Sequence, residues 1–329
     1  MNEDALVAAI AEIARSPFDR RVMLGIGDDA ALWQPSRSHR SAMTSDMLVE
    51  GVDFTRELMS LEDGGWRAMA ANASDLAAMG ARPVLATVSL GIPESIANGD
   101  VLELYRGIAA AARASRLAIA GGDLSRAPAL TISIAAIGEV RASNVKLRSG
   151  ARAGDAIAVT GELGASRAGL EAAKEPSLLA GELRSAALAA FRRPNARCDE
   201  GRFLAASRNV DAMMDSSDGL STDLDRLCAA SGVGASLGEI PVAPCAAAAA
   251  RALGHDPHRF ALAGGEDFEL IAAIRPRAFK RMAAAFAARF GRELHRVGTF
   301  RAQPGIEYCG EPLQRSGWDH FAASVSRAV

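Results

Sequence analysis

The chain has 329 residues, more than one ordinary hydrophobic core accommodates, so two domains are expected. Hydrophobic residues make up 49% of it and aromatic residues only 5%, which indicates a globular protein with aliphatic, helix-rich cores. A formal net charge of −2 gives no basic footprint of the kind that nucleic-acid binding requires. No stretch stays apolar for the roughly 18 residues that a membrane span needs.

The first residues and the cysteines both predict a cytoplasmic protein. The chain begins with an acidic, amphipathic helical pattern rather than a signal peptide. Its cysteines show no CxxC or zinc spacing, which favours reduced thiols. They are Cys198, Cys228, Cys245 and Cys309.

The first half of the chain alternates between helical and extended patterns. Periodic apolar residues predict helices over 3–15, 61–79 and 94–115. Apolar runs predict strands over 41–49, 84–90 and 130–140.

A polar, basic, glycine-containing stretch at 141–155 predicts a domain boundary near 145, which gives domains 1–145 and 146–329. Mixed elements in both halves favour an α+β fold, with mixed sheets flanked by helices and a cleft between the domains. The second half is predicted to hold strands near 156–160, 210–215, 261–263 and 270–274, and helices near 164–173, 196–207, 220–231, 244–253 and 276–290.

The stretch "GIGDDAALW" at 25–33 nearly copies a glycine-rich phosphate loop, yet it carries Asp28 and Asp29. Similar carboxylates recur where other apolar runs stop, beside Gly, Ser or Thr. Any one of them is more readily a turn residue or a helix cap. The further members are Asp46, Asp75, Asp123, Asp215, Asp218, Glu266 and Asp267.

The set as a whole favours a metal site. Clustered carboxylates repel one another and lose solvation unless a cation joins them. Few Lys or Arg residues are interleaved in these motifs, and oxygen-only ligands favour Mg²⁺ over zinc. A metal between the aspartates and a phosphate would explain the acidic loop.

Other phosphate-binding motifs fit poorly. The sequence has no P-loop lysine after glycine and no H-R-D catalytic loop. The "GIGDDA" match to the dinucleotide fingerprint lacks a clear preceding strand, and its acidic pair disfavours a bare pyrophosphate.

Eight motifs in order resemble the thiamine-monophosphate kinase family, of the superfamily that also contains aminoimidazole ribonucleotide synthetase and selenophosphate synthetase. They are "GIGDDAA", "TSDMLVEGVDF", "NASDLAAMGARP", "GGDLSR", "LRSGARAGD", "DSSDGLSTDL", "GGEDFEL" and "GWDHF". The resemblance implies two domains of the aminoimidazole ribonucleotide synthetase type and a homodimer paired through the N-terminal domains. It also implies ATP-dependent phosphorylation of thiamine phosphate to thiamine diphosphate with several Mg²⁺ ions, the last step of thiamine diphosphate biosynthesis.

The resemblance further implies a role for each matching residue. Asp53 stands where the family often has His, and "SSDGL" replaces a commoner "ISDGL". The implied metal ligands are Asp29, Thr44, Ser45, Asp46, Asp75, Asp123, Asp215 and Asp218. Tyr105, Gly122, Asp123, Arg148 and Ser217 would bind ATP, and Asp53, Glu266 and Trp318 would bind thiamine phosphate.

Structural interpretations stay open for several of these residues. Trp318 could be a packing anchor, Arg148 a solvated linker charge and Tyr105 a core residue. Asp223 and Asp225, one turn into the predicted helix at 220–231, are expected to be exposed.

The substrate's phosphate is mostly ionised at neutral pH, so direct in-line transfer needs no general base, and none is assigned. Three alternatives remain: a sibling ATP-dependent synthetase acting on a purine precursor, a related enzyme with a functional cysteine, and a non-catalytic divalent-ion-binding scaffold. The first cysteine here is Cys198 and the chain ends "SRAV", which disfavours the second.

Overall fold

The computed structural model describes residues 3–15, 21–26 and 30–318. Within them, the chain up to Leu76 and Ala81–Ala142 form an N-terminal unit, and Ala77–Gly80 and the residues from Ser143 onward form a C-terminal unit. This boundary lies beside the division expected near 145.

The N-terminal unit confirms the helices and strands predicted for the first half, and it adds a strand at 118–126 that the sequence analysis missed. Glycines and polar residues in "AIAGGDLSR" conceal the extended pattern. The elements are α1 (Glu3–Ala14), β1 (Val22–Leu24), β2 (Leu32–Trp33), β3 (His39–Val49), α2 (Leu61–Ala78), β4 (Arg82–Ile92), α3 (Asn98–Ser115), β5 (Ala118–Arg126) and β6 (Thr131–Arg141).

A four-stranded mixed sheet in the order β3-β6-β4-β5 organises this unit. β3 and β4 both pair with β6 in antiparallel fashion, and β4 pairs with β5 in parallel through the crossover helix α3. One face carries Ile132, Ile134 and Ala136 of β6, all fully buried, and Leu76 of α2 lies against Gly138 of that strand. The helices therefore cover this face, and alternate residues of each strand lie on the other.

The C-terminal unit begins with a short 3₁₀ turn and then holds seven strands and seven helices among its described residues. They are β7 (Ala156–Val159), α4 (Ala165–Lys174), α5 (Gly181–Arg192), α6 (Cys198–Ala205), β8 (Val210–Asp215), α7 (Leu220–Ser231), β9 (Gly234–Leu237), α8 (Pro244–Ala252), α9 (Pro257–Leu262), β10 (Leu270–Ile274), α10 (Pro276–Phe290), β11 (His295–Arg301), β12 (Ile306–Tyr308) and β13 (Glu311–Leu313).

The strand predicted near 261–263 is wrong, because these residues end or follow helix α9. Pro257 occupies the first turn, and the Asp256 side chain accepts a hydrogen bond from the Arg259 amide at 2.8 Å. Proline and an aspartate cap together start a helix, whereas a three-residue apolar run carries no periodicity of its own.

The C-terminal sheet has the order β13-β12-β9-β11-β7-β10-β8, with one parallel pair, β9 and β12. Alternate residues of β7 enter different cores: Ile157 packs with Leu224 of α7, and Ala158 packs with Phe286 of α10. Helices therefore cover both faces, which explains why these strands appear as unbroken apolar runs.

Mixed sheets flanked by helices occur in both units, so the predicted α+β class is confirmed. All four cysteines are free thiols. Among the described helices, none combines the length and apolar character required to cross a bilayer.

Candidate functional site

Three of the predicted metal ligands lie together in the N-terminal unit. Thr44 and Asp46 lie on the helix-covered face of β3, and Thr44 Oγ1 donates a hydrogen bond to Asp75 Oδ2 on α2. Burial raises the pKa of Asp46 to about 6, and the negative charge of Asp75 adds to the effect. Two carboxylates thus share a partly buried site, and the negative charge of Asp75 disfavours the ionised form of Asp46.

Ser45 and Asp123, also predicted as ligands, lie on the opposite face of the same sheet. Ser45 stands opposite Ala135 of β6, and Asp123 stands beside Ser89 of β4. Both side chains are exposed. The N-terminal unit therefore divides its predicted ligands between the two faces of its sheet.

Gly122 and Tyr105, predicted to contact ATP, have clear structural roles. A Cβ atom on Gly122 would lie 1.9 Å from the Val88 carbonyl oxygen, so only glycine allows β5 to approach β4 this closely. Tyr105 is 3% exposed on α3, and burial raises its pKa above the ordinary value. These features favour packing for Tyr105, and both ATP contacts stay predictions.

Asp53 closes the turn that follows β3. Its Oδ2 accepts a hydrogen bond from the Val49 amide at 2.8 Å. This contact accounts for an aspartate at the position, and the predicted substrate contact stays a prediction.

Asp28 and Asp29 lie outside the described residues. The neighbouring β1–β2 hairpin is held by Glu139 of β6, which accepts hydrogen bonds from Arg21 Nη1 at 2.6 Å and from the Ser36 amide at 2.7 Å. Burial alone would raise the pKa of Glu139, but these hydrogen bonds outweigh it and lower the pKa below its usual range.

In the C-terminal unit, the loop after β8 pairs with the segment before β10. Asp215 ends β8 and is 3% exposed. The Ser216 amide donates to the Glu269 carbonyl at 2.8 Å, and the Glu266 amide donates to the Ser217 carbonyl at 2.7 Å. These bonds bring together the "DSSDGL" and "GGEDFEL" motifs, with predicted ATP-binding Ser217 beside predicted substrate-binding Glu266.

The second of these segments holds an unusual backbone. Glu266 has a φ of 61° and Phe268 a φ of 49°, in the left-handed region that side-chain-bearing residues rarely adopt. Such conformations cost about 1–3 kcal/mol each and concentrate at functional sites. The strain therefore supports the prediction that Glu266 acts in binding.

Asp218 has a basic partner that the sequence analysis missed. Arg226 of α7 pairs with the carboxylate of Asp218, and its Nη1 also donates to Asp223 Oδ1 at 2.9 Å. Asp223 Oδ2 in turn accepts from the Asp218 amide at 2.9 Å. Asp218 therefore has a cationic partner, contrary to the expectation for these motifs.

Asp223 is buried, with 0% of its surface exposed, so the expectation that it is exposed is wrong. Burial and the charge of Asp218 raise its pKa to about 6. The spacing of Asp223 and Arg226, three residues apart on one helix, was the sequence signal for this pair. Asp225 is partly buried and pairs with Arg315 at 2.6 Å.

Trp318 lies against the same loop, because its amide donates to the Asp218 carbonyl at 3.1 Å. Arg148 is exposed, and its carbonyl accepts a hydrogen bond from Ser231 Oγ at 2.9 Å. The structure thus brings Ser217, Asp218 and Trp318 together, and it leaves the ATP contact of Arg148 a prediction.

Asp267 and Glu269 of the "GGEDFEL" motif serve the fold. Asp267 accepts hydrogen bonds from the amides of Gly164 at 2.6 Å and Ser166 at 3.0 Å, which caps helix α4. Glu269, 3% exposed, accepts hydrogen bonds from Arg197 Nη2 at 2.6 Å and from Thr160 Oγ1 at 2.6 Å. Both carboxylates are occupied by contacts within the unit.

The donor set of the N-terminal site fits Mg²⁺. Among the described residues, no three His, Cys, Asp or Glu side chains converge as a complete metal site. The site does offer the carboxylates of Asp46 and Asp75 and the hydroxyl of Thr44, with no basic partner among the described residues. Hard oxygen donors with uncompensated charge are the chemistry that Mg²⁺ prefers, with waters and phosphates completing its coordination.

Family models match both halves of the chain. The model for the N-terminal domain of AIR synthase related proteins matches residues 27–140, and the model for their C-terminal domain matches residues 152–308.

Individual relatives match over most of their length. The chain is 39% identical to the thiamine-monophosphate kinase of Rhodopirellula baltica, over 87% of this chain and 86% of that protein. It is similar to the crystal structure of thiamine-monophosphate kinase from Stenotrophomonas maltophilia, with a TM-score of 0.83, 32% identity, and coverage of 95% and 98%. It is also similar to the solved structure of AaThiL complexed with AMPPCP and TMP, with a TM-score of 0.79, 30% identity, and 97% of each chain covered.

Proposed function

The chain belongs to the AIR synthase related family and, within it, to the thiamine-monophosphate kinases, and we propose on this basis that it phosphorylates thiamine phosphate. ATP is the phosphoryl donor, and the products are thiamine diphosphate and ADP. The observation that carries the proposal is the likeness, over 97% of this chain, to AaThiL bound to AMPPCP, an ATP analogue, and TMP. The reaction completes thiamine diphosphate biosynthesis.

Asp46, Asp75 and Thr44 are the residues that would hold Mg²⁺ in the N-terminal unit. The proposal keeps Asp29, Ser45, Asp123, Asp215 and Asp218 as further ligands. When bound, Mg²⁺ would supply positive charge that screens the repulsion between the two phosphate-bearing substrates.

The chain's own residues need only bind and align the substrates. A phosphate monoester has a second pKa near 6, so the attacking oxygen of thiamine phosphate is already ionised at neutral pH. No side chain has to remove a proton from it, which agrees with the absence of a poised histidine in the described loops that follow β3 and β8. Transfer is direct and in line, without a phosphorylated enzyme intermediate.

Each substrate is assigned its own set of residues. Ser217 and Asp123 would contact ATP together with Tyr105, Gly122 and Arg148. Glu266 and Trp318 suit the cationic thiazolium, because a carboxylate and an aromatic face both attract a positive charge. Asp53 completes the proposed thiamine phosphate contacts.

One assay tests the proposal directly. The protein is incubated with ATP, MgCl₂ and thiamine phosphate, and thiamine diphosphate and ADP are measured by chromatography. We expect both products in equal amounts, and neither when EDTA exceeds the metal. Unphosphorylated thiamine should react at least about 10²-fold more slowly, since its hydroxyl needs a base. ATP hydrolysis without thiamine diphosphate would overturn the assignment.

The proposal includes a homodimer formed through the N-terminal units. β3 is an edge strand of the described sheet, and its outer face exposes Met43 (72%) and Met47 (59%). An exposed strand edge with apolar side chains is a ready pairing surface. We expect light scattering to give twice the chain mass, and Met47→Glu to lower it towards that of a monomer.

A cytoplasmic location is also part of the proposal. Four cysteines that are all free thiols fit a reducing compartment. Fractionation of expressing cells should recover the activity with cytoplasmic markers.

A further inference from the structure

The residues immediately before and including Trp318 are bonded along their length to one side of helix α7 and its N-terminal loop. The Ser316 amide donates to Ser221 Oγ at 3.3 Å, and the Gly317 amide donates to Thr222 Oγ1 at 3.1 Å. The Trp318 amide donates to the Asp218 carbonyl at 3.1 Å. Three consecutive amides therefore find their acceptors within five residues of the "DSSDGLSTDL" motif.

Side chains strengthen the same contact. The hydroxyls of Ser221 and Ser316 lie 3.0 Å apart, and Arg315 Nε donates to Asp225 Oδ2 at 2.6 Å. Ser221 is 1% exposed and Thr222 is 4% exposed, so both hydroxyls are shielded from water. A shielded hydroxyl oxygen makes a stronger acceptor than one that competes with solvent.

Gly317 makes the approach possible. A Cβ atom there would lie 1.8 Å from the Asp218 carbonyl oxygen and 2.6 Å from Thr222 Oγ1. The first of these is a backbone atom, so a larger residue cannot be accommodated by a side-chain rotation.

We propose that Ser221 and Thr222 are positioning residues for Trp318, and that they thereby determine affinity for thiamine phosphate. The proposal rests on the proposed function, in which Trp318 contacts thiamine. The same turn of α7 follows Ser217 and Asp218, so one short stretch of chain would align the nucleotide and metal loop with the thiamine contact. Neither hydroxyl touches a substrate; each acts through the 315–318 segment.

Thr222→Val tests the proposal with little change of shape. Valine cannot accept the Gly317 hydrogen bond, which leaves a partly buried amide without that partner. We expect the KM for thiamine phosphate to rise about tenfold, with the KM for ATP changed less than about twofold. Thr222→Ser keeps the hydroxyl and should restore the parent value. Ser185→Ala, which removes an exposed hydroxyl on α5, should change neither constant.

Hydrogen exchange of the amides of 316–318, measured by mass spectrometry, tests the positioning without any assay of activity. We expect faster exchange in Thr222→Val and in Gly317→Ala, and parent-like exchange in Thr222→Ser. Gly238→Ala is the matched control for glycine, because a Cβ atom there meets nothing within 4 Å. Circular dichroism and the melting temperature establish that each variant folds.

The two measurements separate this proposal from the proposed function. If the parent protein makes no thiamine diphosphate, the proposed function fails and the substrate part of this inference fails with it, while exchange still decides whether the hydroxyls hold the segment. If the parent is active but Thr222→Val shows unchanged exchange at 316–318, or raises both KM values equally, the positioning role is overturned.

Discussion

The two units hold their predicted metal-binding carboxylates in different ways. In the N-terminal unit, Asp46 lies on strand β3 and Asp75 on helix α2, and the hydroxyl of Thr44 on β3 donates a hydrogen bond to Asp75. In the C-terminal unit, Asp218 lies in a loop and is already paired with Arg226. Among the described residues, Asp46 and Asp75 have no cationic partner, whereas Asp218 has Arg226 as its partner.

This difference indicates different roles for an added metal ion. At Asp46 and Asp75, a bound cation would remove a repulsion that the fold otherwise tolerates. At Asp218, a cation would have to compete with an arginine that is already in contact. The first site should therefore show the greater dependence on Mg²⁺, and the second should be ordered before Mg²⁺ arrives.

Asp75→Asn should cause the greatest loss of activity. The amide keeps the shape and can still accept from Thr44, so the fold should survive. Loss of the charge should lower kcat by about 10² or more, since a metal at a phosphoryl-transfer site supplies several kcal/mol. Steady-state kinetics measure kcat, and titration with Mn²⁺ measures the metal affinity.

Asp199→Asn serves as the control for that substitution. Asp199 is half exposed and pairs with Arg202 at 3.4 Å, so its loss should leave kcat and metal affinity unchanged. Turnover of Asp75→Asn within about threefold of the parent would remove Asp75 from the metal ligands.

Removal of the positive charge of Arg226 is expected to have the next largest effect, on the free energy of unfolding. Arg226→Met leaves Asp223, which is 0% exposed, without its ion pair. Breaking a buried pair costs about 3–5 kcal/mol, and the partial exposure of Arg226 reduces this to roughly 2–3 kcal/mol. Urea unfolding with and without Mg²⁺ measures it.

The response of the same variant to Mg²⁺ tests whether Arg226 occupies a cation position in the C-terminal unit. Because Asp218 would then be free to bind a cation, Mg²⁺ should stabilise Arg226→Met more than it stabilises the parent. Arg202→Met removes an exposed ion pair and should cost less than about 1 kcal/mol. Equal stability of Arg226→Met and the parent without Mg²⁺ would show that the arginine does not hold the loop.

Sequence reasoning was reliable where the pattern is local. Strand β3, helix α2 and the motif order follow from periodicity and spacing, and the α+β class follows from them. Strand β5 is missed because glycines conceal its extended pattern, and the strand predicted near 261–263 is wrong because Asp256 and Pro257 start helix α9 there.

Side-chain partners were harder to predict from sequence. Asp223 was expected to be exposed because a charged residue on a helix usually faces solvent, and only the fold turns it inward towards the loop that it supports. Likewise, Thr44 and Ser45 are both predicted metal ligands, and their adjacency on one strand places their side chains on opposite faces of the sheet, so their roles as ligands stay predictions.

Asp267 provides a third kind of environment, in which backbone amides rather than a cation face the carboxylate. Burial raises its pKa to about 7 although the Gly164 and Ser166 amides act to lower it. Between the ordinary aspartate pKa and pH 7, Asp267 is therefore protonated in the folded protein and ionised in the unfolded chain. Proton binding stabilises the folded state, and this stabilisation is present at low pH and is lost as the pH rises through 7.

Asp267→Asn should abolish that dependence. Asparagine caps a helix nearly as well as aspartate, so the free energy of unfolding of the variant relative to the parent should increase from pH 5 to pH 7. The slope for one proton is at most about 1.4 kcal/mol per pH unit, and shielding by the backbone donors should keep the total near 1–2 kcal/mol. Asp267→Ala loses the cap at every pH. If the difference in free energy of unfolding between Asp267→Asn and the parent stays constant with pH, the raised pKa of Asp267 is contradicted.

Asp46→Asn is expected to give the smallest change in stability. It removes one of two facing charges, so without Mg²⁺ it should raise the free energy of unfolding by about 0.5–1 kcal/mol. Asp123→Asn, on the exposed face of the same sheet, should give no such gain, because no second carboxylate faces Asp123 among the described contacts. Urea unfolding in EDTA measures both variants. If Asp46→Asn is less stable than the parent, the Asp46 carboxylate makes a favourable contact that outweighs repulsion by Asp75, and the N-terminal site is then compensated from within, as the C-terminal one is by Arg226.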